Sequence, residues 1–218
     1  AVKTNDIKIV ELVLEYFDLR FINESTEEGT ALTIAAEKSN LEIVNKLLSI
    51  EGIDVNFVTS NNLTALNIAI CKEENEIANR ILDFYGENLK DQTFQLNQAL
   101  KIFLILNSSD KHNKINKKIN MKMIPILKRI VEVENVDLNC CEGDFSILSF
   151  ACKINDQSLV EYLLKTKKVN INLRDPNLGN TALIVSILND NEYITKLLIE
   201  QENIDLNLSN YKAETALI

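Results

Sequence analysis

The sequence predicts an all-α solenoid in which about five helix–turn–helix pairs stack in a row, joined by β-hairpin loops and flanked by partial units. A fixed period is the first observation behind this. The stretch TALTIAAEKSNLEIVNKLLSIEGIDVN, from Thr30 to Asn56, places Thr30-Ala31-Leu32 on Thr64-Ala65-Leu66 when slid by 34 residues, and Ile43-Val44 on Ile77-Ala78. Slid back by 34, the same Ile-Val pair falls on Ile9-Val10. Ser146-Ile147-Leu148, Thr181-Ala182-Leu183 and Thr215-Ala216-Leu217 follow at spacings of 35 and 34. Composition is the second observation. Hydrophobic residues at 46% suffice for a continuous core, and five Gly and two Pro in 218 residues leave no room for a flexible linker.

Each element of the unit has a local cause. Thr30 is placed to cap a short helix whose apolar set is Leu32, Ile34, Ala35 and Ala36. The two Ala let this first helix lie close against its neighbour. Ser39-Asn40 make a turn, and Leu41, Ile43, Val44, Leu47 and Leu48 then recur at helical spacing in a second, covering helix. Gly52 is expected to end that helix, and Ile53-Asp54-Val55-Asn56 alternates at period two like a short strand entering a hairpin.

The pattern TALxxAA, IVxxLL, xDVN resembles the ankyrin repeat, with TALxxAA in place of that family's T-P-L-H-x-A-A. The usual ankyrin period is about 33; here an extra residue lies between Leu47-Leu48 and the hairpin entry. Tetratricopeptide repeats share the longer period but would show Trp in the first helix and Pro at each boundary. This chain has no Trp, and its Pro fall at no regular interval. The family's His after Pro-Leu is replaced by Thr33, Asn67, Ser149 and Ile184, which should weaken the hydrogen-bonded link between repeats. Its Gly between the helices becomes Ser39, Glu73, Asn155 and Asp190; Asn and Asp tolerate left-handed backbone angles, while the turns at Ser39 and Glu73 are expected to be looser.

One array over residues 1–218 is expected, with a partial repeat at 1–29 and further boundaries at 30–63, 64–93, 94–145, 146–180, 181–214 and 215–218. The first residues match the middle of a repeat and the last four match the start of another first helix, as in a piece of a longer array. The segment Tyr85 to Lys90 replaces the second repeat's hairpin entry. The third repeat is degenerate: Phe94-Gln95-Leu96 fills the Thr-Ala-Leu slot, and Ile102 to Leu106 suggests a lengthened first helix. About 19 residues are inserted before Ile126, placed at about 107–122, and Pro125 fits the first turn of the next helix. From Lys101 to Arg129 there are eight Lys/Arg and one acid, Asp110, a net of +7 that leaves −16 for the rest of a chain at −9. A basic protrusion docking an acidic or phosphate-bearing partner and a plain solvated loop both fit this.

The resemblance implies a scaffold that binds a partner protein through hairpin tips and the exposed side of the first helices, which line a concave groove. Tip positions are Thr59, Ser60, Asn61, Asn62, Glu142, Asp144, Arg174 and Asp175; groove positions are Glu37, Lys38, Cys71, Lys72, Lys101 and Lys153. Lys38, Lys72, Lys101 and Lys153 lie near first-helix ends, as a positive ladder or as cations answering the helix dipole. The alternative is a substrate-recruiting or regulatory arm of a larger enzyme or channel.

No catalytic function is expected, because the only His, His112, lies in the insertion and no Gly-rich phosphate loop exists. Cys71, Cys140, Cys141 and Cys152 show no CxxC spacing, so no metal or cofactor is expected and the thiols read as reduced, in a cytoplasmic or nuclear protein. The sequence has no apolar run of membrane-spanning length and no signal-peptide pattern. A small-molecule substrate is not expected, and nucleic acid is disfavoured by the acidic balance and the lack of aromatic interleaving. A monomer is expected.

Overall fold

The structure, a computed structural model, describes residues 1–108 and 121–218. Most of the basic insertion, His112 included, lies outside the described residues. The chain divides into two compact units, Ala1–Ala99 with Lys122–Asn135, and the described part of Leu100–Met121 with Val136–Ile218. That division falls inside the third repeat.

In the first unit α1 (Ile7–Tyr16) precedes α2 (Ala31–Glu37), α3 (Leu41–Leu48), α4 (Ala65–Cys71) and α5 (Asn75–Tyr85). A 3-10 run, Gly86–Gln92, leads into α6 (Thr93–Leu106), and α7 (Ile124–Val131) packs on α5. Helices α2 and α4 pack on each other and on their own second helices, α3 and α5. Ala35, Ala36 and Ala69 are fully buried, so backbones approach where a larger side chain would hold them apart. Leu32, Ile43, Leu47, Leu66, Ile70, Ile77 and Ile81 are all at most 1% exposed. Each such burial stabilises by about 1.5–3 kcal/mol relative to exposure.

The second unit contains a short antiparallel hairpin, β1 (Cys141–Glu142) and β2 (Phe145–Ser146), in register Cys141↔Ser146 and Glu142↔Phe145. Then come α8 (Ile147–Lys153), α9 (Gln157–Lys165), α10 (Ala182–Leu188) and α11 (Glu192–Ile199). α8 packs on α9 and α10, and α11 on α9 and α10. Phe150 is fully buried and meets Phe103 edge-on at 5.4 Å between ring centroids.

The local signals behave as their chemistry dictates. Thr30, Thr64, Ser146 and Thr181 each accept the backbone N–H three residues on, at 3.2 to 3.4 Å. Asn40, Asp156 and Asn191 cap the second helices in the same way at 3.0 Å. Ser39, Glu73, Asn155 and Asp190, which replace the Gly that the ankyrin pattern has between its helices, all hold left-handed backbone at φ 52° to 63°. Helix α6 runs fourteen residues against seven for α2, and Pro125 lies in the first turn of α7.

Four expectations need correction. Helix α3 ends at Leu48 with Ser49 as its C-cap, while Gly52 takes φ +80° in the loop beyond. The segment Ile53 to Asn56 alternates in burial but forms no strand, because its groups bond locally and across repeats: the Asp54 carboxylate accepts the Asn56 N–H at 2.9 Å. Among the described residues, the hairpin loops carry paired strands only at β1–β2 and an isolated bridge at Thr26↔Gly29. Thr215 to Ile218 makes a turn, closed by the Ile218 N–H on the Thr215 carbonyl at 3.3 Å, where a helix start was expected.

A regular cross-repeat clamp accompanies the loops. Asn23 donates to the Gly52 carbonyl (2.7 Å) and accepts the Asp54 N–H (2.7 Å). Asn139 grips Lys168 and Asn170 in the same way, and Asn172 grips Asn203 and Asp205. Each amide side chain thus satisfies one acceptor and one donor of the next loop's backbone.

Candidate functional site

In the first unit, buried helices end in exposed polar side chains. Glu37 and Lys38 close α2, and Cys71 and Lys72 close α4; all four are exposed. The Lys72 ammonium meets the Glu37 carboxylate at 2.8 Å, joining successive repeats. Both groups face water, so the pair contributes well under about 1 kcal/mol and is easily exchanged for a partner's charge. Lys38 enters no ion pair among the described residues. In the following loop the half-buried Thr59 hydroxyl accepts the Leu63 N–H at 3.2 Å, and Asn62 takes φ +61°. Ser60, Asn61 and Asn62 are exposed at the tip.

In the second unit Lys153 ends α8, exposed, and reaches Asn189 at 3.4 Å. Lys101 does not belong to that series. It lies mid-way along α6 rather than near its end, because the helix continues to Leu106, and its ammonium is 3.7 Å from the Glu142 carboxylate. At the hairpin tip the Asp144 N–H donates to the Ser108 hydroxyl at 2.9 Å, and the Asp144 carboxylate accepts from Asn177. Arg174 is exposed and enters no ion pair among the described residues.

Asp175, expected at an exposed tip, is instead 1% exposed. Its carboxylate accepts the Ser146 N–H at 2.7 Å and the Ser149 hydroxyl at 2.5 Å, tying two successive repeats together. The link assigned in this fold to a His is therefore kept here by a Ser–Asp pair. Burial pushes the Asp175 carboxyl up to about 7, opposed by the bonds from Ser149 and Ser146, with the nearby Asp144 charge adding to the rise.

Three of the thiols, Cys140, Cys141 and Cys152, are poorly suited to nucleophilic or ligand chemistry. Burial, helped by Asp137, pushes Cys140 up to about 12, and burial, helped by Asp175, pushes Cys141 up to about 11. Cys152 is fully buried in the core position expected of it, and burial raises it as well. No three His, Cys, Asp or Glu side chains converge as metal ligands among the described residues. Among those residues no helix is long and apolar enough to cross a membrane.

The exposed apolar side chains that the sequence reading left out include two in the loops of the second unit. Leu178 is 52% exposed and Tyr211 65%, both in loops beside a left-handed residue, Gly179 and Ala213. The signal available was an isolated large apolar residue in each otherwise polar loop, NLGN and NYKAE.

The family model described as ankyrin repeats (3 copies) matches residues 1–93 and again 115–210, most of the chain. The chain belongs to the ankyrin-repeat family. Among solved structures it is similar to the human ASB11 ankyrin repeat domain, at 20% identity and a TM-score of 0.55, covering 97% of this chain and 85% of that one. It is also similar to the ankyrin repeat domain of Bcl-3, described as a unique member of the IkappaB protein family, at 18% identity and a TM-score of 0.57, covering 100% and 90%. At these identities the likeness is one of fold. No curated protein sequence matches the chain. Ankyrin repeats are generally protein–protein interaction modules without catalytic activity of their own.

Proposed function

We propose that this ankyrin-repeat chain is an interaction scaffold that holds a partner protein through the exposed ends of its first helices and its loop tips. The observation that carries the reading is the pairing of buried helix bodies with exposed polar ends at equivalent positions of successive repeats. Glu37 and Cys71, or Lys38 and Lys72, stand one period apart on helices whose other faces are fully packed. Side chains presented in this way are already positioned, so many modest contacts add up at little ordering cost. Among the described residues no two cysteines are joined in a disulfide, which fits a cytoplasmic or nuclear setting.

Affinity capture followed by mass spectrometry, with the chain as bait, identifies the partner. Replacing Lys38, Lys72 and Lys153 together by Glu is then expected to weaken binding without unfolding, since all three are exposed. The effect should shrink with added salt, because exposed charges are screened beyond about 10 Å at 0.1 M. Unchanged binding by that triple variant, together with loss of binding on changing Asn45 and Lys46 of the covering helix, would place the surface on the opposite face.

A further inference from the structure

We propose that Asp175 is a proton-operated latch. Protonated, it holds the loop 174–180 on Ser146 and Ser149 of the preceding repeat; ionised, it releases that loop, so pH sets how firmly the second unit presents its tip side chains. The proposal rests on the reading of the array as a binding module and names a regulation of it. Asp175 is 1% exposed and its carboxyl crosses a repeat boundary, 2.7 Å from the Ser146 N–H and 2.5 Å from the Ser149 hydroxyl. Around it the loop closes on itself. The Asp175 N–H donates to the Asn180 carbonyl at 2.8 Å, and the Gly179 N–H to the Asp175 carbonyl at 2.9 Å. The turn is thus one piece, and it carries the exposed Arg174 and, through Asn177, the Asp144 carboxylate of the hairpin tip. Holding such tip side chains still in advance lowers the ordering cost of binding.

The surroundings of the carboxyl suit its neutral form. Asp175 enters no ion pair among the described residues. From the hairpin the charge facing it is Asp144, of the same sign. Cys141 of β1 and Cys152 of α8 face it as thiols that burial keeps neutral. In its own loop Arg174 is exposed; in the loop 210–214, joined to this one by Asn210 and Asn180 at 3.0 Å, Lys212 and Glu214 are exposed too. A protonated Asp175 donates to the Ser149 oxygen, and the Ser149 hydroxyl then turns to the Ser146 carbonyl 3.1 Å away, so no buried donor is stranded. An ionised one has two donors and no counter-charge among the described residues, and water outside solvates it better. Burial raises the acid to about 7 from 3.8, against the bonds from Ser149 and Ser146. Release of the loop returns the acid to its ordinary range. It therefore becomes about tenfold easier per pH unit between about 4 and about 7, and levels off above.

Hydrogen exchange of the full chain, read as protection factors from about pH 5 to about pH 8, tests this. A His112→Gln background removes the only His, the one other side chain that ordinarily titrates in that range. Protection of the Ser146 and Asp175 amides is expected to fall about tenfold to a hundredfold across the range, while the α9 and α11 amides keep theirs. Asp175→Asn keeps the shape and hydrogen-bonding of the protonated acid, so the loop should stay closed at every pH. Ser149→Ala removes a donor that favours the ionised form, so its fall should level off about one pH unit higher. A purely structural tie would weaken the loop without moving that point. Should Asp175→Asn fail to fold by circular dichroism, Ser149→Ala still decides. Protection independent of pH, the same fall in Asp175→Asn, an unmoved levelling point in Ser149→Ala, or joint loss of protection in α9 and α11 would each overturn the latch. Capture of a partner through Lys38, Lys72 and Lys153 is a separate readout, so failure of the latch leaves the scaffold reading standing.

Discussion

One slot of the repeat, three residues after the capping Thr or Ser, is occupied by Asn67 in the first unit and by Ser149 in the second. Both side chains are buried, at 2% and 0% exposure. Ser149 turns its hydroxyl to Asp175 in the next loop, where the same carboxylate also takes the Ser146 N–H. Asn67 sits in an equally dry place, and its Oδ1 has no hydrogen-bond partner among the described residues. Thr33, in the slot before it, keeps its hydroxyl on the Thr30 carbonyl within its own repeat. A polar residue thus occupies this slot in three repeats, as Thr33, Asn67 and Ser149, but it becomes a tie between repeats only where the following loop supplies an acceptor.

The largest expected effect separates the units by pH. Asp175 titrates at about 7 when folded against 3.8 ordinarily, so the folded second unit binds that proton more tightly than the unfolded chain. Its contribution is therefore fully present below about pH 4 and is lost as pH rises through about 7. The gap bounds the loss at about 4 kcal/mol, an upper figure because the carboxylate also keeps its two donated bonds. Urea unfolding of the chain and of Asp175→Asn, compared from pH 5 to pH 8, should show the parent losing stability relative to the variant. Parallel curves would mean that burial does not raise this acid in solution.

A smaller effect concerns the clamps. Asn172 holds the Asp205 N–H at 2.9 Å and the Asn203 carbonyl at 2.7 Å, so Asn172→Ala should cost about 1–2 kcal/mol. In hydrogen exchange the Asp205 amide should lose its protection while the α11 amides keep theirs. Asn56 holds a matching position, but the 3-10 run Gly86–Gln92 stands in place of the loop there, and Asn56 meets side chains. Its amide reaches the Gln92 side chain at 2.8 Å and accepts from the Tyr85 hydroxyl at 3.0 Å. Side-chain partners are less fixed than backbone ones, so α7 should exchange faster than α9 in the parent chain. Equal protection of the two helices would remove the third repeat as the weak region.

What the sequence makes legible follows from how far each cause reaches along the chain. Caps at Thr30 or Ser146 act over three residues, and the left-handed turns at Ser39 or Asp190 act over one, so the period and its punctuation can be read directly. The lengthened α6 shows because an apolar run cannot hide in a polar loop. Asp175 was misread because loop acids are usually solvated; its burial depends on donors 26 and 29 residues upstream, which no local pattern announces. The clamps were illegible for the same reason, as their partners lie about one full period away. Lys101 was misplaced because the lysine series was carried over from α2 by repeat position, although the apolar run after it already lengthens α6 to fourteen residues against seven.

The smallest and sharpest test returns to Asn67. Replacing it with Leu keeps a γ-branched outline while removing the unbonded amide oxygen. Leaving such a group buried costs about 1–3 kcal/mol, while crowding from a poorly accommodated side chain costs a similar amount. Ile184 decides between them, because it fills the same slot of another repeat at only 4% exposure, without any polar partner for its side chain. The slot therefore accepts an apolar residue, and Asn67→Leu is expected to stabilise the first unit by about 1 kcal/mol. The equivalent change Ser149→Val should have the opposite sign, costing about 1–3 kcal/mol, since Asp175 would lose a donor inside a dry site. Both are read from urea midpoints at pH 7 with the slope unchanged. If both variants destabilise alike, Asn67 has a partner in solution and the contrast between the units disappears.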